Sequence, residues 1–288
     1  MFRSNSMRQL VLKSFPKEGL VTLSDMGDFK YLTHVLRQKP GDELEARLPD
    51  GTLHMMRLVA IDRKSHSITL QSWVPFTEVE NRCENRSPEK RCIQGKSMPS
   101  PVAPVDFPRM ILFQWILKGQ KMDQVVRQAT ETGIKVVIPI IGERCILKDA
   151  DALGKGRQAR WNRIIREARQ QSGSPIDTCI ERPVGPDEIE RIWQAFCVDG
   201  KGLPFVLSES PLARKSLYEY LDTNIVCAGI AIGPEGGMTA AELEMLQKFG
   251  FCCIHFRTNI LRAETAALYG IGAIQTALLE SKKWQLKE

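Results

Sequence analysis

The chain has 288 residues, 43% of them hydrophobic and 26% charged, the balance of an ordinary folded protein of one large domain or two smaller ones. No apolar run is long enough to cross a bilayer, and the first residues, MFRSNSMRQL, lack the apolar core of a secretory signal. The net charge of +6 favours an anionic partner only weakly, so the placement of the charges carries more weight than their sum.

The eight cysteines form no C-x-x-C pair and have no histidine at zinc-ligand spacing. Several sit in apolar runs as small core residues, which fits a reduced cytoplasm and gives no metal site.

From residue 7 to about 79, short apolar runs alternate with turns. Gln9–Lys13, Leu20–Ser24, Glu43–Leu48, Thr52–Ile61 and Ile68–Trp73 read as strands. Asp28 is placed to cap a short helix through Arg37 that buries Phe29, Leu32, Val35 and Leu36. Pro49-Asp50-Gly51 between two strand-like runs is a hairpin signal, because glycine supplies the positive φ. Short strands with little helix predict a small β-barrel over 1–79, either an RNA-binding module or a structural one. Residues 80–107 are polar, charged and proline-rich without periodicity, and read as a linker.

From 108 to 288 the pattern alternates strand and helix, the signature of a parallel sheet. Met110–Leu117 and Lys135–Ile141 are strands around a helix, Met122–Thr132, that ends at Gly133. Lys155–Gln171 is an amphipathic helix with Trp161, Ile164, Ile165 and Ala168 on its apolar side. Its arginines, Arg157, Arg160, Arg163, Arg166 and Arg169, recur every third residue as a basic band with a single acid, Glu167. Such a band neutralises phosphates; a solvated face paired with acids elsewhere is the competing reading.

Pro204–Leu207 and Ile225–Ile232 are further strands. The second enters Gly233-Pro234-Glu235-Gly236-Gly237, and a helix start follows. Thr239 and Glu242 have capping-box spacing, and Met238 and Leu243 that of a hydrophobic staple. The glycines let a ligand approach the backbone closely. No lysine follows as in a P-loop, and Glu235 would repel a phosphate. Phe251–Phe256 is the last strand, Arg257–Arg262 a second loop, and the helix from Glu264 is apolar on nearly all sides, suited to a core or a subunit interface.

Several motifs carry a family resemblance: HVLR (34–37) and PGD (40–42), KMDQVVRQATETGI followed by IPI and Glu143-Arg144, EARQQS (167–172), IGPEGG (232–237) and ILRAETA (260–266). In this order and at these intervals, the chain resembles the bacterial 16S ribosomal RNA (uracil-N3)-methyltransferases, the RsmE family of the SPOUT class. The resemblance implies an α/β protein with a C-terminal SPOUT α/β-knot domain, a PUA-like N-terminal β-barrel that binds RNA, and a homodimer formed through the C-terminal domain. It implies S-adenosyl-L-methionine as cofactor, with 16S ribosomal RNA in the small subunit as substrate. The methyl donor is expected among Leu207, Ser208 and Glu209; Ile232, Gly233, Pro234, Glu235, Gly236 and Gly237; and Asn259, Ile260, Leu261, Arg262, Thr265 and Ala266.

Uracil N3 carries a proton at neutral pH, so the reaction calls for a base and for stabilisation of the developing anion. The candidates are Glu235 and Glu264 as base and Arg262 as the stabilising cation. The competing reading makes Glu264 an acid favouring a helix N-terminus and Glu235 a loop carboxylate contacting cofactor or backbone. Arg37, Arg144, Arg160, Arg163, Arg166 and Arg169 are the RNA-binding candidates. The chain departs from the family at Phe256, Arg257 and Asn259, where a Leu-Gly element and an arginine are usual, and at Ser174 in place of another arginine. A non-catalytic RNA-binding or ribosome-assembly protein on the same scaffold, a SPOUT methyltransferase with a different RNA target, and a nucleotide-binding enzyme are the alternatives.

Overall fold

The computed structural model describes residues 9–72, 108–146, 154–198, 200–208, 215–221, 225–256 and 259–280. The chain divides into two compact units, 1–105 and 106–288, each with its own core. The predicted linker, 80–107, lies outside the described residues.

The first unit holds a five-stranded sheet of β1 (Leu10–Val11), β2 (Leu20–Leu23), β3 (Glu43–Arg47), β4 (Leu53–Asp62) and β5 (Ser67–Ser72), in the order β1-β3-β4-β5-β2. All pairings are antiparallel except β1 with β3. The Pro-Asp-Gly turn forms as its chemistry requires: Gly51 has φ +87°, its N–H bonds to Leu48 O at 3.0 Å, and the Asp50 carboxylate accepts from Thr52 N at 2.9 Å. The helix α1 (Met26–Lys30) starts earlier than predicted. Its cap is Asp25, whose carboxylate accepts from Gly27 N and Asp28 N, while Asp28 is buried inside the first turn. A π-helical turn, Tyr31–Val35, continues it. That extra residue per turn rotates the apolar stripe: Phe29 and Leu32 stay in the core, but Val35 is 52% exposed, correcting the expectation that it is buried.

The second unit is built on six strands: β6 (Arg109–Trp115), β7 (Val136–Ile140), β8 (Cys179–Ile180), β9 (Gly202–Leu207), β10 (Cys227–Ile232) and β11 (Cys252–Ile254). Their order is β11-β9-β10-β6-β7-β8, and every pairing is parallel. The chain runs outwards from β6 through β7 to β8, then returns to fill the other side, with β10 seated between β6 and β9. This reversal beside β6 is a switch point, where the loops at the carboxyl ends of the strands form a crevice. Strand β10, in the middle of the sheet, is buried along its whole length, as a strand covered on both faces must be.

The helices are α2 (Lys121–Glu131), α3 (Gly154–Ser172), α4 (Ile189–Phe196), α5 (Leu217–Tyr220), α6 (Ala240–Lys248) and α7 (Ala263–Glu280). Strand β8 and helices α4 and α5 have no counterpart in the sequence reading. The first is only two residues long, and α4 is a short amphipathic helix burying Ile189, Trp193 and Phe196. Helix α7 packs on β10 at Gly270, where a Cβ would come within 2.6 Å of Ile230 Cδ1. The absence of a side chain there sets the depth of the helix against the sheet. Its buried side carries Ala267, Gly270, Ile271, Ile274 and Leu278, while Leu268 and Tyr269 remain exposed.

Candidate functional site

Because β11, β9, β10 and β6 are neighbours and run in the same direction, the segments leaving their carboxyl ends lie side by side. Three of these are the loops singled out in the sequence. The β9 exit is held to β11: Ser208 N donates to Ile254 O at 3.1 Å, and His255 Nδ1 lies 3.0 Å from Ser208 O. Ser208 is buried and Leu207 half-buried, while Glu209 lies outside the described residues.

The β10 exit is the glycine loop. It closes on itself through Gly237 N to Pro234 O at 2.9 Å, with Gly237 at φ +68°. A Cβ on Gly233 would meet Met238 Cγ at 3.1 Å and Met238 N at 3.2 Å, a fit so tight that Met238 would have to give by a few tenths of an ångström. Both bonds of the predicted capping box are present: Glu242 N to Thr239 Oγ1 at 3.2 Å and Thr239 N to Glu242 Oε2 at 2.8 Å. Met238 and Leu243 pack against the core.

Glu242 does more than cap. Its other oxygen accepts from Trp115 Nε1 at 2.9 Å and from Glu143 N at 3.1 Å. One buried carboxylate thus joins the start of α6 to the end of β6 and to the segment after β7. Burial pushes its pKa up, but the bonds from Thr239, Trp115 and Glu143 outweigh that and hold it below the usual carboxylate range. Gly142 lies against this pair, and a Cβ there would overlap both the Trp115 indole nitrogen and Glu242 Oε1.

The third loop brings Asn259 and Ile260, both exposed, and Leu261, half-buried, to the start of α7. Ile260 is 84% exposed. Arg262 is exposed, and its carbonyl accepts the helix-opening bond from Ala266 N at 2.7 Å. Its guanidinium has no ion pair among the described residues. Thr265 is exposed and Ala266 half-buried on the first turn, while Glu264 is buried.

Glu235 and Glu264, far apart in sequence, are joined by a lysine that the sequence reading did not single out. Lys121 Nζ lies 3.0 Å from Glu235 Oε1 and 4.0 Å from Glu264 Oε2. Glu235 Oε1 also accepts from Lys118 N at 3.1 Å. Burial acts to raise the Glu235 pKa, but its own N–H, Lys121 and the Lys118 N–H stabilise the anion, and the net position is below the ordinary range. Glu264 Oε2 is buried and has no hydrogen-bond partner. The sequence signal for Lys121 was present in KMDQ, but only the fold shows what it faces.

The predicted RNA contacts separate into different roles. Arg144 donates to Gly236 O at 2.7 Å and Met238 O at 3.4 Å, so it props the glycine loop. Arg160 pairs with Asp123, which also accepts from Trp161 Nε1 at 3.1 Å and so pins α3 to α2. Arg163 is exposed and 3.9 Å from Glu167, and Arg166 is half-exposed. Arg169 is a correction: it is only 4% exposed, and its guanidinium is taken by Asp177 and the carbonyls of Ser174 and Pro175. A step of three residues turns a helix by about 300°, so the series drifts round until its last member reaches the apolar side. Arg169 is an internal anchor of the turn after α3, and Ser174 is buried beneath it. Arg37, in the first unit, is exposed at φ +54° just past the π-helical turn.

This geometry agrees with comparisons to known proteins. The family model of an RNA methyltransferase domain matches residues 105–275, and that of an RNA methyltransferase PUA domain matches 23–71. A ribosomal RNA small subunit methyltransferase E from Aquifex aeolicus is 31% identical over 195 residues, spanning 65% of this chain and 76% of the relative. The chain belongs to the ribosomal RNA small subunit methyltransferase E family.

Another member, ribosomal RNA small subunit methyltransferase E 2 of Borreliella burgdorferi, is 28% identical over 275 residues, 95% of this chain and 98% of the relative. The crystal structure of the methyltransferase E of Neisseria gonorrhoeae, bound to S-adenosyl methionine, has the same fold: TM-score 0.71 at 24% identity, covering 94% of this chain and 97% of that one. The parallel-sheet unit is thus the SPOUT-type methyltransferase domain and the small sheet the PUA-like domain of this family. Among the described residues, no helix is long and apolar enough to cross a membrane.

Proposed function

We propose that the protein is an S-adenosyl-L-methionine-dependent methyltransferase acting on N3 of a uridine in 16S ribosomal RNA of the small subunit. The observation that carries this is the meeting of the three loops at the carboxyl edge of β9, β10 and β11, within a chain of the methyltransferase E family. The residues fit the cofactor. A Cβ on Gly236 or Gly237 would meet Arg144 at 3.8–3.9 Å, ordinary van der Waals contact, so the arginine that props the loop lies along that side and the glycines themselves are not crowded. Leu207, Ile232, Leu261 and Ala266 offer apolar walls, and a buried carboxylate oxygen on Glu264 lacks a partner.

Bound there, S-adenosyl-L-methionine supplies a methyl group on a sulfonium, an electrophile that needs no further activation. The chain's residues supply position and charge. The main chain of Ile232–Gly237 and Asn259–Ala266, with Ser208 and Glu209, orients the donor, and in-line placement of the two reactants is worth on the order of 7–11 kcal/mol at best. Removal of the N3 proton falls to a carboxylate. Glu235 already accepts two N–H donors, whereas Glu264 keeps an unused acceptor, so Glu264 is the better base of the two. Arg262, exposed at the start of α7, is the cation assigned to stabilise an anionic uracil oxygen.

Arg163 and Arg166 on α3, joined by Arg160, form the phosphate-contacting band, with the PUA-like unit and its Arg37 as a second grip on the RNA. The domain reading follows: 1–79 for RNA, 80–107 as linker, 108–288 for catalysis. Exposed Leu268 and Tyr269 on the otherwise apolar α7 suit a homodimer contact through the C-terminal unit. A role on ribosomal RNA supports a cytoplasmic location.

The test is the modified-nucleoside content of 16S ribosomal RNA from a strain lacking the gene. Loss of N3-methyluridine, restored by this chain and not by Arg262→Ala, is the expected result. An unchanged uridine profile refutes the assignment, and absence of binding to S-adenosylmethionine in calorimetry favours a non-catalytic RNA-binding role.

A further inference from the structure

The feature left unexplained by cofactor contacts or RNA contacts is Lys121. It is the first residue of α2, where the positive end of the helix dipole disfavours a cation, and the preceding Gln120 gives no side-chain cap. Helix stability therefore does not select a lysine here. Its surroundings do: the ammonium stands between Glu235 of the glycine loop, at 3.0 Å, and Glu264 in the first turn of α7, at 4.0 Å. Glu264 Oε2 is buried with no hydrogen bond, a state that is unfavourable unless a cation or donor is close. The Glu235 side takes a second donor from the backbone of Lys118, so the segment after β6 is tied in as well. One cation thus spans three chain segments, and one ammonium facing two carboxylates leaves the cluster with a surplus negative charge.

We propose that Lys121 is a positioning residue of the methyl-donor site: it fixes the glycine loop and the start of α7 relative to each other, and it offsets part of the charge of the two carboxylates, which limits the site's preference for the sulfonium over the neutral thioether left after transfer. The inference rests on the methyltransferase reading above. In the resting cluster the two carboxylates outweigh the single ammonium, which complements a cationic ligand. After transfer the ligand has lost its positive charge, and once the base has passed on the N3 proton the cluster again matches the sulfonium better than the product.

The test compares S-adenosylmethionine with S-adenosylhomocysteine by calorimetry on the full-length wild type, Lys121→Met and Lys121→Arg, with Arg191→Ala as a control that removes a remote ion pair (Arg191 to Glu188, 2.9 Å). Lys121→Met is expected to bind the homocysteine form about tenfold more weakly, the loss of one charge-assisted contact in a half-exposed site. The ratio of affinities is expected to shift towards the sulfonium by about threefold, as for a unit charge several ångströms away in a partly solvated site. Lys121→Arg restores both, and Arg191→Ala changes neither.

A purely structural role would weaken both ligands equally and leave the ratio unchanged; that result, or wild-type affinities in Lys121→Met, overturns the proposal. Should Lys121→Met fold poorly by circular dichroism, Lys121→Gln is measured in its place against the same two criteria. Failure of the wild type to bind either ligand refutes the methyltransferase reading itself, a separate outcome.

Discussion

Replacing Glu242 by glutamine tests how the glycine loop is held. The carboxylate accepts three hydrogen bonds, from Trp115 Nε1, Glu143 N and Thr239 N, and the residue is 6% exposed. Glutamine keeps the shape but offers a single oxygen. With that oxygen towards Trp115 and Glu143, its amide group points at the Thr239 N–H, donor against donor. The loss is one charge-assisted bond plus the weakening of two others, about 2 kcal/mol. For a unit of this size that corresponds to a fall of roughly 4–8 °C in melting temperature. Urea denaturation followed by tryptophan fluorescence is the assay, since Trp115, Trp161 and Trp193 all lie in the second unit.

The effect carries a pH signature. The folded pKa of Glu242 is depressed, so its contribution is fully present above the unfolded carboxylate value, about 4.3, and is lost as pH falls through the folded value. The gap between wild type and Glu242→Gln should therefore be largest near neutrality and narrow below about pH 4.3. A gap under about 0.5 kcal/mol at pH 7, or one that stays constant into acid, refutes the account of Glu242 as the charged link between α6, β6 and the segment after β7.

Gly142→Ala is expected to destabilise by about 2 kcal/mol, because its methyl group would overlap Trp115 and Glu242, and to be less than additive with Glu242→Gln in denaturant unfolding. Arg163→Ala should lower the slope of log affinity for RNA against log salt by about 1 with stability unchanged. Arg169→Ala should do the reverse, destabilising by about 2–4 kcal/mol, since Asp177 and the carbonyls of Ser174 and Pro175 lose their donor. Arg144→Ala should weaken cofactor binding about fivefold in calorimetry through the freed Gly236 carbonyl, with the RNA salt slope unchanged.

Where hydrogen bonds are local, the residues announced them. The Pro49-Asp50-Gly51 turn and the Thr239–Glu242 box each close within a few residues, so the residue types alone specify the geometry. The parallel sheet was legible for a similar reason: apolar runs alternating with helical periodicity leave few other ways to bury both faces. The capping residue of α1 was misplaced by three positions, because Asp25 and Asp28 carry the same chemistry and only the backbone conformation separates them. Strand β8 and helix α4 were missed because short elements hold by packing more than by periodicity.

The sequence by itself determined the two-part organisation of strands and helices, the glycine loop and its helix start, and through the spacing of its motifs the family. What it left undecided was which side chains meet. Trp115 and Glu242 are 127 residues apart, and Lys121 and Glu235 are 114 apart. These pairs exist because β10 enters the sheet beside β6, after the chain has already built β7, β8 and β9. No local propensity encodes that insertion. It follows from burying all the strands at once, and it turns loops that are separate in sequence into one site with Lys121 at its centre.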